Sequence, residues 1–346
     1  MKLKIGFYFV TLYFIIFILT NSIFVTNNDN IELDSTSTTY WLRHLLVLFA
    51  VLFSFFFKNK NNVHFYFSLI TFAIIYFIGN QIVSGFMTIA LFLSTIIFGT
   101  GFDYLLKNKI LLIILLLIAF VPFFINFQDV FVNGLFSTKY GRERMLLGYF
   151  HPKEAAQPFT ILFVLLYIAF EKSRIKIFLV GVILLYFISS KNSLLYFLIF
   201  IYLTYRNSYK SILFFLLFCF ITYFIILNLE NLTNLMDELS SDRISSWADI
   251  LKYNQNDESK FRADSFYIET FVKSGLIGTI LFILWLFYFI IYNNIQKGLY
   301  SKLPIGISLV CAQLVFSMFD SGISSTGSLI QIFSWSMYFQ FSNKYI

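Results

Sequence analysis

Residues 110–127 read Ile-Leu-Leu-Ile-Ile-Leu-Leu-Leu-Ile-Ala-Phe-Val-Pro-Phe-Phe-Ile-Asn-Phe, eighteen positions without a charge, with Lys109 before them and Asp129 shortly after. A helix of that length crosses the roughly 30 Å hydrocarbon core of a bilayer, and lipid demands a helix because no water is there to pair the backbone. Runs of the same kind recur along the chain. The polar breaks between them divide it into twelve apolar spans near 5–25, 41–57, 63–79, 82–99, 110–127, 156–170, 175–190, 193–205, 211–228, 266–292, 303–320 and 324–342. The composition of the 346 residues agrees: 59% are hydrophobic, 12% are charged and 48 are Phe. Soluble domains run nearer 45–50% apolar and about 25% charged, so an ordinary water-soluble domain is excluded. With 4 Pro and 15 Gly a disordered or fibrous chain is excluded too, and no basic tract long enough for nucleic acid occurs. The fold class is therefore an all-α polytopic membrane protein of about twelve transmembrane helices, with 1–346 as a single integral membrane domain.

Lys and Arg are retained on the cytoplasmic side of short loops, which orients the chain. With the N-terminus inside, the inner segments hold 14 basic residues against Asp103 and Glu171, a net of +12. The outer face holds the other 11 basic and 16 acidic residues, a net of −5, and the two sum to the overall +7. Both termini are expected in the cytoplasm. Lys2 and Lys4 ahead of an apolar run resemble a signal peptide, but Asn21–Asn30 offers no small-residue cleavage site, so the segment reads as an uncleaved first helix. Cys219 and Cys311 lie inside apolar runs and read as small buried hydrophobes.

Nine of the outer cations lie in or beside two long outer segments, 128–155 and 229–265. Loops of that length are more often functional than not. In the second, Leu229, Leu232, Leu235, Met236 and Leu239 recur at helical spacing beside acidic residues, the pattern of a short interfacial helix. A second short helix follows a cap at Ser240–Asp242, with Ile244, Trp247, Ala248 and Leu251 on one face. No internal repeat is visible.

The first outer loop gathers Lys139, Arg142, Arg144, His151 and Lys153 on the side where positive charge is otherwise avoided. That points to an anionic ligand, since the Arg fork matches phosphate with two parallel hydrogen bonds. The same cations also suit snorkelling toward lipid headgroups. Pro152 and Pro158 mark the start of the next helix. The second loop supplies Asp242-Arg243-Ile244-Ser245-Ser246-Trp247 and Arg262-Ala263-Asp264-Ser265. Asp264 stands where a helix begins, a position whose dipole favours a carboxylate, whether as a cap or as a reactive group. His44 and His64 stand alone at helix ends and read as structural.

Arg243 to Trp247, then Asp264-Ser265, nine residues, and Gly275-x-x-Gly278, resemble the signature of the O-antigen polymerase and O-antigen ligase superfamily of envelope polysaccharide enzymes. Leu147-Gly148-Tyr149-Phe150-His151-Pro152-Lys153 is similar to the Gly-x-x-His-Pro-Asn segment of capsule and exopolysaccharide polymerases, with Lys153 in place of Asn. The resemblance covers about 140–285. Ligases carry His where this chain has Asp264, which favours the polymerase branch.

The resemblance implies a glycosyltransferase that joins oligosaccharide repeat units carried on undecaprenyl diphosphate at the outer leaflet of the bacterial cytoplasmic membrane, making capsular, exopolysaccharide or O-antigen chains. Arg243, Arg144, Arg142 and Lys153 would bind the departing diphosphate, and Asp264 or His151 would serve as the base. No metal or cofactor is required, because no Asp-x-Asp-like carboxylate cluster occurs in the outer loops. Expected partners are the lipid-linked donor and acceptor glycans, membrane lipids, and a flippase and chain-length regulator, with no nucleic acid. The rivals are a ligase that passes finished glycan to another acceptor, and a flippase or other transporter, which would place charges near the bilayer midplane and show paired repeats. Glu269 and Lys273 are instead expected in the outer turns of one helix and Asp320 at an outer end.

Overall fold

A computed structural model of the chain describes residues 2–22, 38–56, 63–125, 136–137, 144–145, 147, 149, 152–188, 190–206, 265–298, 304–317 and 328–341. They are almost entirely helical: α1 (Lys2–Thr20), α2 (Thr38–Ser54), α3 (Val63–Ile78), α4 (Ile82–Lys107), α5 (Lys109–Ala119), α6 (Val121–Ile125), α7 (Pro152–Ala169), α8 (Arg174–Phe187), α9 (Lys191–Arg206), α10 (Phe266–Gly298), α11 (Ile305–Phe316) and α12 (Leu329–Phe341). A 3-10 turn, Glu171–Ser173, and an antiparallel ribbon of β1 (Phe136–Ser137) and β2 (Arg144–Met145) complete them. Each expected apolar span among the described residues carries helix, and 211–228 lies outside them. Among the described residues three stretches, Leu3–Thr20, Ile82–Lys107 and Phe266–Tyr292, are long and apolar enough to cross a membrane. The 26 residues of α4 rise about 39 Å, more than a hydrocarbon core requires.

The outward faces are apolar. On α2, Leu45, Leu48, Phe49 and Leu52 form an exposed stripe, and on α8 Ile175, Leu179, Ile183 and Phe187 form another. Spacings of three and four residues put each set on one helix face. The interior holds the reverse: Ser94, Thr95, Gln313, Gln331 and Ser334 are all buried. Apolar helices with their apolar stripes turned outward are the build of a membrane protein, in which lipid takes the place of water.

Around α4 lie α1, α2, α3 and α12; α12 also contacts α11, α11 contacts α9, α7 touches α5, α8, α9 and α12, and α10 lies along α3. Phe72, Phe92, Trp285 and Trp335 form the aromatic centre, with Phe72–Trp285 at 4.8 Å, Phe92–Trp335 at 5.0 Å and Trp285–Trp335 at 6.0 Å between ring centroids. At one end of the bundle His64 stacks on Tyr292 at 4.7 Å and on Tyr288 at 5.3 Å and bonds to the Tyr338 hydroxyl, so it fastens α3 to α10 and α12. His44 is buried with its ring edge-on to Trp41. Cys311 is a buried free thiol, while Cys219 lies outside the described residues.

Several boundaries differ from the sequence expectation. α4 continues past residue 99 to Lys107, so Asp103 and Lys107 lie on its last turns and pair at 2.7 Å. The reason is the packing of this end of α4 on α1: a Cβ on Gly6 would fall 2.6 Å from the Gly101 nitrogen, a close approach that only glycine permits. α7 begins at Pro152, which places Lys153 and Glu154 on helix. In the first long loop described residues pair as a ribbon, Phe136 with Met145 and Ser137 with Arg144. The interfacial helices expected near 229–239 and 242–251 lie outside the described residues.

Candidate functional site

The contacts distinguish two ends of the bundle. The end of α1, the turn from α3 to α4, the end of α5, the starts of α7, α9, α10 and α12, and the end of α11 share one end, so both long loops lead into helices that begin there.

The first loop is fixed at that end by Tyr149. Its backbone bridges Ser22 at the end of α1, and its hydroxyl donates to the Ala119 carbonyl at the end of α5 at 2.9 Å. Complete burial pushes the Tyr149 phenol well above its ordinary range, so it stays a protonated donor. Just before it, Leu147 is buried in a left-handed conformation with φ 50°, a strained state for a branched side chain. Lys153 follows, half-buried in the first turn of α7 and engaged in a polar or electrostatic contact. One turn further, buried Gln157 offers its Oε1 to the amides of Leu329 at 2.9 Å and Ile330 at 3.4 Å and to the Ser328 hydroxyl at 3.3 Å. A side chain of α7 thereby satisfies the free amides that open α12.

The second loop is fixed by its last residues. Ser265 is buried, the Phe266 amide donates to the Ser317 carbonyl at 3.0 Å, and the Tyr267 hydroxyl donates to the Leu314 carbonyl at 2.8 Å. Leu314 lies in the last turn of α11 and Ser317 caps its end. Further along α10, Lys273 pairs with Glu269 at 2.5 Å, Gln81 donates to the same carboxylate at 3.4 Å, and the Ser274 hydroxyl reaches the Ile75 carbonyl at 2.7 Å. Gly275 then breaks the helix with φ 61° and ψ −158°, a conformation open to glycine alone.

Between the two anchors runs a buried polar chain. Gln313 Nε2 donates to Ser317 Oγ at 3.1 Å, Ser334 Oγ lies 3.4 Å from Gln313 Oε1, and Tyr196 Oη lies 2.7 Å from Ser334 Oγ. Each hydroxyl of the pair also has a backbone acceptor, Ser317 the Gln313 carbonyl and Ser334 the Ile330 carbonyl, both at 2.8 Å. All four side chains are buried.

Of the expected site residues, Lys153 is placed on α7 and Arg144 contributes its backbone to the ribbon. Arg142, His151, Arg243 and Asp264 lie outside the described residues, as does the Arg144 side chain. What the structure brings together is the ends of their two loops, through Gln157 and Phe266, on the paired ends of α11 and α12. Sequence reasoning missed Gln157, Gln313, Ser317, Ser334 and Tyr196, because it followed charge and these are neutral. Gln313 and Gln331, two of the three glutamines inside the last two apolar runs, were the available signal. Gly275 was singled out by resemblance, and its left-handed backbone is the physical reason a glycine stands there. Among the described residues no three His, Cys, Asp or Glu side chains group to hold a metal ion. Comparison with protein-family models, with curated proteins and with solved structures finds no match for this chain.

Proposed function

We propose that this protein is a polysaccharide polymerase that joins undecaprenyl-diphosphate-linked repeat units at the outer face of a bacterial cytoplasmic membrane, with twelve crossings and both termini inside. The observation that carries the reading is the shared anchorage of the two cation-bearing loops: Gln157 holds the first to the start of α12, and Phe266 and Tyr267 hold the second to the end of α11. Cations from loops so tied can act on one anion.

In this reading a hydroxyl of the acceptor glycan attacks the anomeric carbon of the donor chain, and the bond from that carbon to the diphosphate oxygen breaks. The hydroxyl proton passes to Asp264, with His151 as the alternate base. The departing diphosphate gains charge as the bond breaks, and Arg243, Arg144, Arg142 and Lys153 stabilise that charge in place, the largest single source of rate available to such a site. No metal is invoked, since guanidinium forks match the phosphate oxygens. A flippase would deliver the lipid-linked units and a chain-length regulator would set the product.

The test is the glycan made by Arg243→Ala and Asp264→Ala. Each is expected to express normally and to leave single, unpolymerised units at the cell surface; long chains from either overturn the site assignment. Long glycans still on the lipid carrier in a deletion strain would point to a ligase instead. Arg243→Lys should restore only part of the activity, because an ammonium cannot make the paired contact. Reporter fusions at the loops test the orientation.

A further inference from the structure

We propose that Gln313 is a positioning residue for the transferase site, acting through Ser317 and Ser334 to hold the end of α11 against the second turn of α12. The inference rests on the polymerase reading for its chemistry, but its geometry stands on described residues alone. The carbonyl of Ser317 receives the amide of Phe266, two residues after Asp264, and the start of α12 receives Gln157, four residues after Lys153. Gln313, itself on α11, gives a donor to Ser317 at the end of that helix and an acceptor to Ser334 in the second turn of α12. Tyr196 extends the chain to α9.

A structural role alone does not account for a glutamine here. Removing its amide leaves no polar group stranded, because Ser317 keeps the backbone carbonyl of residue 313 and Ser334 keeps that of Ile330. An apolar side chain of the same length would fill the space without an orphaned donor, and such replacements are close to neutral in stability. The amide instead fixes the register of the two helix ends, and with it the separation of the loops that end on them.

The decisive variant is Gln313→Met, which keeps the length and loses both hydrogen bonds. Turnover is expected to fall roughly ten- to a hundredfold, as for a reacting group moved by about an ångström, with KM for the lipid-linked unit and the thermal midpoint in detergent unchanged. Unchanged turnover overturns the inference, as does a loss that follows the thermal midpoint down. A second measurement needs no activity: spin labels at Lys153→Cys and Asp264→Cys, in a chain with Cys219 and Cys311 replaced by Ala, report the distance between the loop ends. Gln313→Met should broaden that distance distribution, and an unaltered distribution overturns the inference. If the distribution broadens while Arg243→Ala and Asp264→Ala still polymerise, the positioning stands and the polymerase site falls. If it does not broaden while Arg243→Ala stops chain growth, the polymerase site stands and the positioning falls.

Discussion

The helix pair α11–α12 and the peripheral helix α8 have opposite architectures. Every residue of α11 and nearly all of α12 is buried, yet the pair carries Ser308, Gln313, Gln331, Ser334 and Ser336. α8 buries only Gly181 and Leu185 and turns Ile175, Leu179, Val180 and Ile183 outward. In water this would be an inverted protein. With lipid outside, the driving force for packing α8 side chains inward vanishes, since acyl chains are as apolar as leucine, and the specific contacts that remain are close packing and interior hydrogen bonds. The polar residues therefore mark where the fold is held in one arrangement, and the apolar ones mark where it is merely solvated.

The largest expected contrast comes from side-chain truncation. Trp335→Ala, at the aromatic centre, should lower the unfolding free energy by about 3–5 kcal/mol, whereas Ile183→Ala on the outer face of α8 should cost about 0.5 kcal/mol or less. Equilibrium unfolding in mixed micelles measures both, and equal losses would break the comparison. Next is Gln157→Leu, which strands the buried Leu329 amide and should cost about 1–3 kcal/mol in the same assay. Gln313→Met, which strands nothing, should cost about 0.5 kcal/mol or less, so the two glutamines separate an orphaned donor from a lost tie. Gly275→Ala forces a side chain into a backbone conformation reserved for glycine, with open space around it, and should cost about 1–3 kcal/mol through conformation alone. The smallest effect belongs to the rim. Glu171, 77% exposed and 3.9 Å from Arg174, should lose about 0.5 kcal/mol or less as Glu171→Gln.

The apolar spans were legible because lipid sets a length, and a run such as 110–127 answers to that length whatever its neighbours do. Their limits were legible only where charge coincided with the end of a helix. Asp103 and Lys107 looked like a loop, but a carboxylate and an amine four residues apart on one helix face satisfy each other at 2.7 Å and let α4 continue. The loops were legible as cation-bearing from their charge. Their anchorage was not, since Gln157 meets residues 328–330 and Phe266 meets Ser317 across long separations, and a neutral amide inside an apolar run carries no sign of what it will face. The ribbon of 136–137 with 144–145 was hidden for the same reason: two residues on each strand are too few for any alternation to show.

The approach of Gly6 to Gly101 also sets an order on assembly. Helix α1 is made before α4, and at about 5–20 residues per second the chain between Gly6 and Gly101 takes roughly 5–20 s to emerge. During that interval the face of α1 around Gly6 lacks the α4 backbone that packs on it in the finished fold. A side chain at either glycine would meet backbone of the other helix, so the two can close only if both positions stay bare.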